Sequence, residues 1–106
     1  MQGTYDTGTV IWYYDSDEIQ VDRITRLIIR PDTLAFEVQP QGADRYTVRL
    51  NRTSEQDSYC GSEVVGEGQP STYRAAVNEI TATMARIGGD WAGDGSGTFE
   101  IEARKK

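Results

Sequence analysis

The sequence predicts an all-β protein: an antiparallel meander of about seven or eight strands that forms a small barrel or a flattened sandwich. Segments in which apolar and polar residues alternate recur along the chain, and this period is typical of half-buried antiparallel strands. Short clusters of glycine, proline and acidic residues separate these segments. No low-complexity linker divides the 106 residues, so 1–106 should form a single barrel-like domain.

The first strands are predicted from residue type. Residues 9–14 are β-branched or aromatic, and they end at the acidic turn 15–18. Ile19 and Val21 then open another alternating run with an apolar face, which continues to the proline-containing turn 30–32.

The clearest hairpin lies in the middle of the chain. Apolar residues occupy every second position in 33–39 and again in 45–51, and the turn-forming residues 40–44 separate the two segments. This pattern predicts two antiparallel strands joined by a short loop. A further strand is expected over 59–65.

The segment 72–87 supports two interpretations. Its apolar residues fall at helical spacings of four and three, which would make the fold α+β with one helix near 72–87. Alternation around Ile80, Ala82 and Met84 instead favours a strand, and the β pattern on both sides makes the strand our expectation. Residues 88–97 are rich in glycine and are predicted to form a turn before a last strand, 98–103.

Three short motifs resemble those of small meander barrels. Gly89-Asp90-Trp91 and Gly97-Thr98-Phe99-Glu100-Ile101 are similar to the closing hairpin of such barrels, and Gly3-Thr4-Tyr5 resembles an N-terminal Gly-x-Trp motif with tyrosine in place of tryptophan. The resemblance is to calycin-like barrels, the group of lipocalins and avidins. It implies a barrel that holds a small ligand at its mouth, and it transfers no binding residue to this chain.

The alternation also predicts a core. The residues expected in it are Ile11, Leu27, Ile29, Leu34, Phe36, Val38, Tyr46, Val48, Leu50, Ile80, Met84, Phe99 and Ile101.

Most catalytic chemistry is excluded by composition. The chain has no histidine, which rules out Ser-His-Asp and Cys-His arrangements, and its single cysteine, Cys60, is expected to be buried filler. Asp15, Asp17 and Glu18 lack the spacing of a calcium loop and are expected to form a solvated turn. We therefore predict no catalytic residue, no metal site and no cofactor.

The net charge of −6 argues against nucleic acid as a partner, because phosphate binding needs clustered Lys and Arg. No apolar run approaches the roughly 20 residues of a membrane-spanning helix, so membrane insertion is not expected. A small molecule or a protein is the expected partner, a homodimer is compatible with the sequence, and the compartment is left open.

The sequence thus predicts a non-catalytic binding module whose ligand or protein partner is held at the barrel mouth or the sheet surface. Trp12, Tyr14 and Trp91 are the predicted ligand-binding residues, because large aromatic side chains suit stacking. One alternative is a small enzyme that acts on a glycan through carboxylates such as Asp90 and Asp94. Another is a structural subunit that assembles through sheet edges.

Overall fold

The computed structural model describes residues 3–14, 19–55, 57–63, 71–93 and 96–105. Within these ranges the regular elements are all β-strands, as predicted, and no helix long and apolar enough to cross a membrane is found there. The strands are β1 (Gly3–Tyr5), β2 (Thr7–Tyr14), β3 (Ile19–Ile29), β4 (Thr33–Gln39), β5 (Tyr46–Arg52), β6 (Ser58–Glu63), β7 (Ser71–Ile80), β8 (Met84–Ala92) and β9 (Ser96–Arg104).

The strands form a closed antiparallel barrel. Each strand from β2 to β9 pairs with the next along the chain, and β2 closes the barrel against β9 in a ladder from Thr7–Arg104 to Tyr14–Gly97. The short β1 extends along β3 in the register of β2 after an interruption at Asp6, whose N–H donates to the carbonyl oxygen of Arg104 at 3.1 Å. The architecture is an eight-stranded barrel with one extra strand, which is compatible at the level of the fold with a calycin-like barrel.

The core occupies the barrel interior. Nine of the thirteen predicted core residues are buried there, and alternation along each strand explains why. The buried apolar residues are Tyr5, Val10, Trp12, Ile24, Leu27, Ile29, Leu34, Phe36, Val38, Val48, Leu50, Tyr59, Tyr73, Ala75, Ala85, Ile87, Phe99, Ile101 and Ala103.

The prediction for Ile11 is wrong. The inward positions of β2 are Val10, Trp12 and Tyr14, so Ile11 lies half-buried on the outer surface. The error has a simple cause: both alternating sets of residues in this strand are apolar, so the pattern does not determine which set faces inward. Tyr46, Ile80 and Met84, also predicted for the core, are only partly buried.

At the start of β3 the apolar residues of the alternating run face outward. Ile19 and Val21 are 63% and 58% exposed, whereas Asp22 and Ile24 are buried. The register of β3 against β4 shifts between Ile24 and Arg26. This bulge inserts one residue, so the inward positions change from even-numbered residues before it to odd-numbered residues after it. Leu27 and Ile29 therefore face inward, whereas Ile19 faces outward.

Segment 72–87 is neither a helix nor one strand. It contains most of β7 and the start of β8, which form a hairpin around residues 81–83. Thr81 closes the turn: its N–H donates to the carbonyl oxygen of Met84 at 2.8 Å, and its Oγ1 accepts from the Met84 N–H at 3.0 Å. The predicted glycine-rich turn is shorter than expected, because residues 88–92 belong to β8.

The ladder between β5 and β6 is shorter than the other ladders among the described residues. The residue pairs Asn51–Cys60 and Arg52–Tyr59 connect these strands in the described part of the chain. The expected strand 59–65 is found as β6, with residues 64–65 outside the described ranges. Cys60 is exposed rather than buried, because it lies on the outward face between Tyr59 and Gly61.

Candidate functional site

Aromatic side chains converge at one end of the barrel interior. This is the end at which β2, β4 and β8 finish and β3, β5 and β9 begin. We call this group the aromatic mouth; it comprises Trp12, Tyr14, Tyr46, Tyr73 and Trp91, together with the polar Gln20 and Asp22.

Alternation places these side chains on the inner face. Trp12 and Tyr14 occupy successive inward positions of β2, and Trp91 is paired with Tyr73 across the β7–β8 ladder. On its other side Trp91 pairs with Gly97, where an added Cβ would overlap the carbonyl oxygen of Tyr13 and lie 3.1 Å from the Trp91 Nε1. The absence of a side chain at Gly97 therefore gives the indole its place against β9.

The rings pack in two layers. Trp12 and Tyr73 form the deeper layer, with 6% and 5% of their surface exposed, whereas Tyr14, Tyr46 and Trp91 are half-buried. The centroid of Trp91 lies 5.2 Å from that of Tyr14 at an interplanar angle of 76°, and 6.5 Å from that of Trp12 at 90°. These edge-on arrangements suit the ring quadrupoles and set the ring planes almost at right angles.

A polar network runs along one wall of the mouth. The Trp12 indole N–H and the Gln20 side-chain amide both donate to Asp22 Oδ2 at 3.0 Å, and the Tyr14 hydroxyl donates to Gln20 Oε1 at 3.3 Å. Asp22 is 5% exposed, so its carboxylate depends on these donors rather than on bulk water. The network fixes the orientation of Trp12 and Tyr14.

Within the described ranges, the carboxylate of Asp22 has no cationic partner. Every arginine of the chain lies in the described ranges, and among the described residues no Lys or Arg nitrogen lies within 4.0 Å of this carboxylate. Asp22 was not predicted to face inward, because the alternation of Ile19 and Val21 suggested the opposite parity. The run Gln20-x-Asp22-x-Ile24, in phase with the inward Ile24, is the sequence signal that could have revealed it.

Tyr46 was predicted as a core residue and lies instead within the mouth. Its burial, followed by the charges of Tyr73, Asp22 and Tyr14, raises the pKa of its hydroxyl well above the usual value. The phenol therefore remains protonated at neutral pH and is available as a hydrogen-bond donor.

One donor in the mouth is left unused. The Nε1 atom of Trp91 is buried and has no hydrogen-bond partner. Every other buried side-chain nitrogen or oxygen atom of the described residues has one. Most buried polar groups in native proteins are paired, so this exception needs an explanation.

The three residues predicted to bind ligand, Trp12, Tyr14 and Trp91, are brought together in this mouth. Of the two carboxylates considered for glycan chemistry, Asp90 points outward and forms an exposed ion pair with Arg74 at 3.3 Å, and Asp94 lies outside the described residues.

The acidic turn 15–18, predicted to be solvated, also lies outside the described ranges. In the part of the chain that the structure describes, no three His, Cys, Asp or Glu side chains are grouped as metal ligands. The opposite end of the barrel is filled by Tyr5, which is 1% exposed and has the Lys105 ammonium 5.4 Å above its ring centroid.

The mouth offers ring faces, a buried carboxylate and an unpaired donor, which are features suited to holding a ligand. Comparison with protein-family models, with curated proteins and with solved structures found no match for this chain.

Proposed function

We propose that this domain is a non-catalytic binding module that holds a small ligand in the aromatic mouth. The unpaired Nε1–H of Trp91 is the observation that carries the proposal. A buried donor without an acceptor costs roughly 1–3 kcal/mol, and a ligand that supplies an acceptor would recover this energy. Departures from satisfied packing of this kind are expected at functional sites.

The position of the donor supports the same function. Trp91 belongs to the half-buried outer layer of rings, so part of its indole meets solvent although Nε1 is buried, and a ligand would reach the donor by displacing the ring locally. Trp12 and Tyr73 form an apolar floor below. Trp and Tyr provide large rigid contact areas with a polar group at one edge, which is why they are common where ligands bind. The resemblance to calycin-like barrels, which typically hold a small ligand at the barrel mouth, agrees with this location.

The test uses the two tryptophans of the chain, both of which lie in the mouth. Two-dimensional ¹H–¹⁵N NMR of the protein should show two indole N–H signals, which are followed while a library of small polar aromatic and aliphatic compounds is added. We expect binders to shift the Trp91 signal more than the Trp12 signal, because the Trp12 N–H already donates to Asp22.

Adjacent tyrosines of β2 provide matched variants. Tyr14 faces the mouth, whereas Tyr13 lies on the outer surface, where its hydroxyl donates to Glu100 at 3.4 Å. We expect Tyr14→Ala to weaken binding of any compound found by about tenfold and Tyr13→Ala to change it less than about twofold. The proposal fails if no compound shifts either indole signal, or if the shifts cluster on the outer face around Tyr13.

A further inference from the structure

We propose that the ligand of the aromatic mouth is an organic cation that also carries an acceptor oxygen for the Trp91 N–H, such as a hydroxylated ammonium compound, whose charge is balanced by Asp22. This inference rests on the proposed binding function and adds the chemical class of the ligand. Three features of the mouth support it: the isolated carboxylate, the arrangement of the rings and the shortage of metal ligands.

The carboxylate provides the first argument. Asp22 is 5% exposed, and both of its hydrogen bonds come from uncharged donors, the indole of Trp12 and the amide of Gln20. Both donors act on Oδ2, so no such bond engages Oδ1 among the described residues. Buried charges in proteins are normally paired with an opposite charge. As far as the described residues show, the mouth therefore lacks a positive charge, which a bound cation would supply.

The rings provide the second argument. The faces of Trp and Tyr rings attract cations through their quadrupoles, and Trp does so most strongly. The planes of Trp12 and Trp91 stand at 90°, and those of Tyr14 and Trp91 at 76°, so the edge of one ring packs against the other in each pair, and a cation would meet the ring faces turned away from these contacts. Tyr46, protonated at neutral pH, adds no negative charge of its own.

The cation should be organic rather than a metal ion. Calcium and similar ions need several oxygen ligands, and in the described ranges no three potential ligand side chains come together. An anionic ligand would be repelled by Asp22. An alkylated ammonium group needs few hydrogen bonds and benefits from ring faces, which is what the mouth provides.

The experiment compares choline with its uncharged analogue 3,3-dimethylbutan-1-ol, which has nearly the same shape. Each is titrated into the folded protein, and the fluorescence of Trp12 and Trp91 and their indole NMR signals report binding. We expect choline to bind at least about tenfold more tightly than the neutral alcohol.

Asp22→Asn tests the role of the carboxylate, because the amide keeps its shape and an acceptor oxygen for Trp12 while it removes the charge. We expect this variant to lose the preference for choline. Asp32→Asn changes the net charge equally at an exposed turn at the other end of the barrel, and it should keep the preference.

The outcomes separate the two proposals. If the neutral alcohol binds the wild-type protein as tightly as choline, or if Asp22→Asn retains the preference for choline, the cation assignment is overturned and the binding function stands. If neither compound binds, the cation assignment is also overturned, and the wider compound library described above decides the binding function independently. The wild-type comparison holds even if Asp22→Asn does not fold.

Discussion

Replacement of Phe99 by alanine should be among the most destabilising single changes in this barrel. The ring is 1% exposed and joins the aromatic mouth to the rest of the core, with its centroid 5.4 Å from that of Trp12, 6.4 Å from Tyr73 and 6.0 Å from Phe36. Removal of a buried phenylalanine side chain costs about 3–5 kcal/mol. Each lost ring pair adds to the cost of the buried area, so we expect a loss near the upper limit, about 4–5 kcal/mol.

That loss is large compared with the total free energy of unfolding of a small domain, which is about 5–15 kcal/mol. It should lower Tm by roughly 20 °C or more. The measurement is urea unfolding followed by far-UV circular dichroism, which does not depend on the neighbouring Trp12. Thr98→Ala, at the adjacent exposed position of β9, is the control and should cost less than about 0.5 kcal/mol. A loss below about 1.5 kcal/mol for Phe99→Ala, with an unchanged m-value, would refute the packing described here.

Three further predictions concern the backbone, pH and the surface. Gly89→Ala should destabilise the barrel by about 1–3 kcal/mol in the same urea assay, because a Cβ there would overlap the carbonyl oxygen of Arg74 and lie 2.8 Å from Phe99 Cζ. If the variant is as stable as the wild-type protein, the strands can move apart to make room for the methyl group. Because burial raises the pKa of Tyr46, its contribution to stability is complete below about pH 10 and is lost as pH rises toward the folded-state pKa. Tyr46→Phe should therefore reduce the fall in the free energy of unfolding above about pH 10, and an unchanged slope would contradict this. Asp90→Asn removes the ion pair with Arg74, in which the side chains of Asp90 and Arg74 are 54% and 74% exposed. The free energy of unfolding, measured by thermal unfolding, should therefore change by less than about 0.5 kcal/mol. A larger loss would mean that this pair is more than a surface contact.

Sequence patterns predicted the class of this fold well where each strand has one apolar face. The hairpin 33–51 is the clearest case: Phe36, Val38 and Val48 are buried and their strand neighbours are not. The prediction was less accurate where both faces are apolar, as around Ile11, and where a bulge changes the parity, as in β3. Periodicity of two detects a strand, but it does not detect one inserted residue or choose between two apolar faces.

The same limits explain what was missed in the candidate site. Trp12, Tyr14 and Trp91 could be chosen by residue type, but their meeting depends on barrel closure, which pairs β2 with β9 and so brings it near β8 on the other side of β9. Asp22 was not recognised as an inward residue because the bulge after Ile24 is not visible in the alternation. The turn at 81–83 was overlooked because Thr81 and Thr83 fit a strand as well as a turn.

Barrel closure also has a consequence for folding kinetics. The hairpins from β3 to β9 join neighbouring parts of the chain, whereas the β2–β9 ladder joins segments about 90 residues apart, and closing so long a loop costs about 4 kcal/mol in chain entropy. This ladder should therefore form late in folding and separate early in unfolding. Trp12 meets Phe99 and Trp91 across it, so the mouth exists only while the barrel is closed. A ligand bound there would slow unfolding far more than it speeds folding, and its effect would be seen as a longer lifetime of the native state.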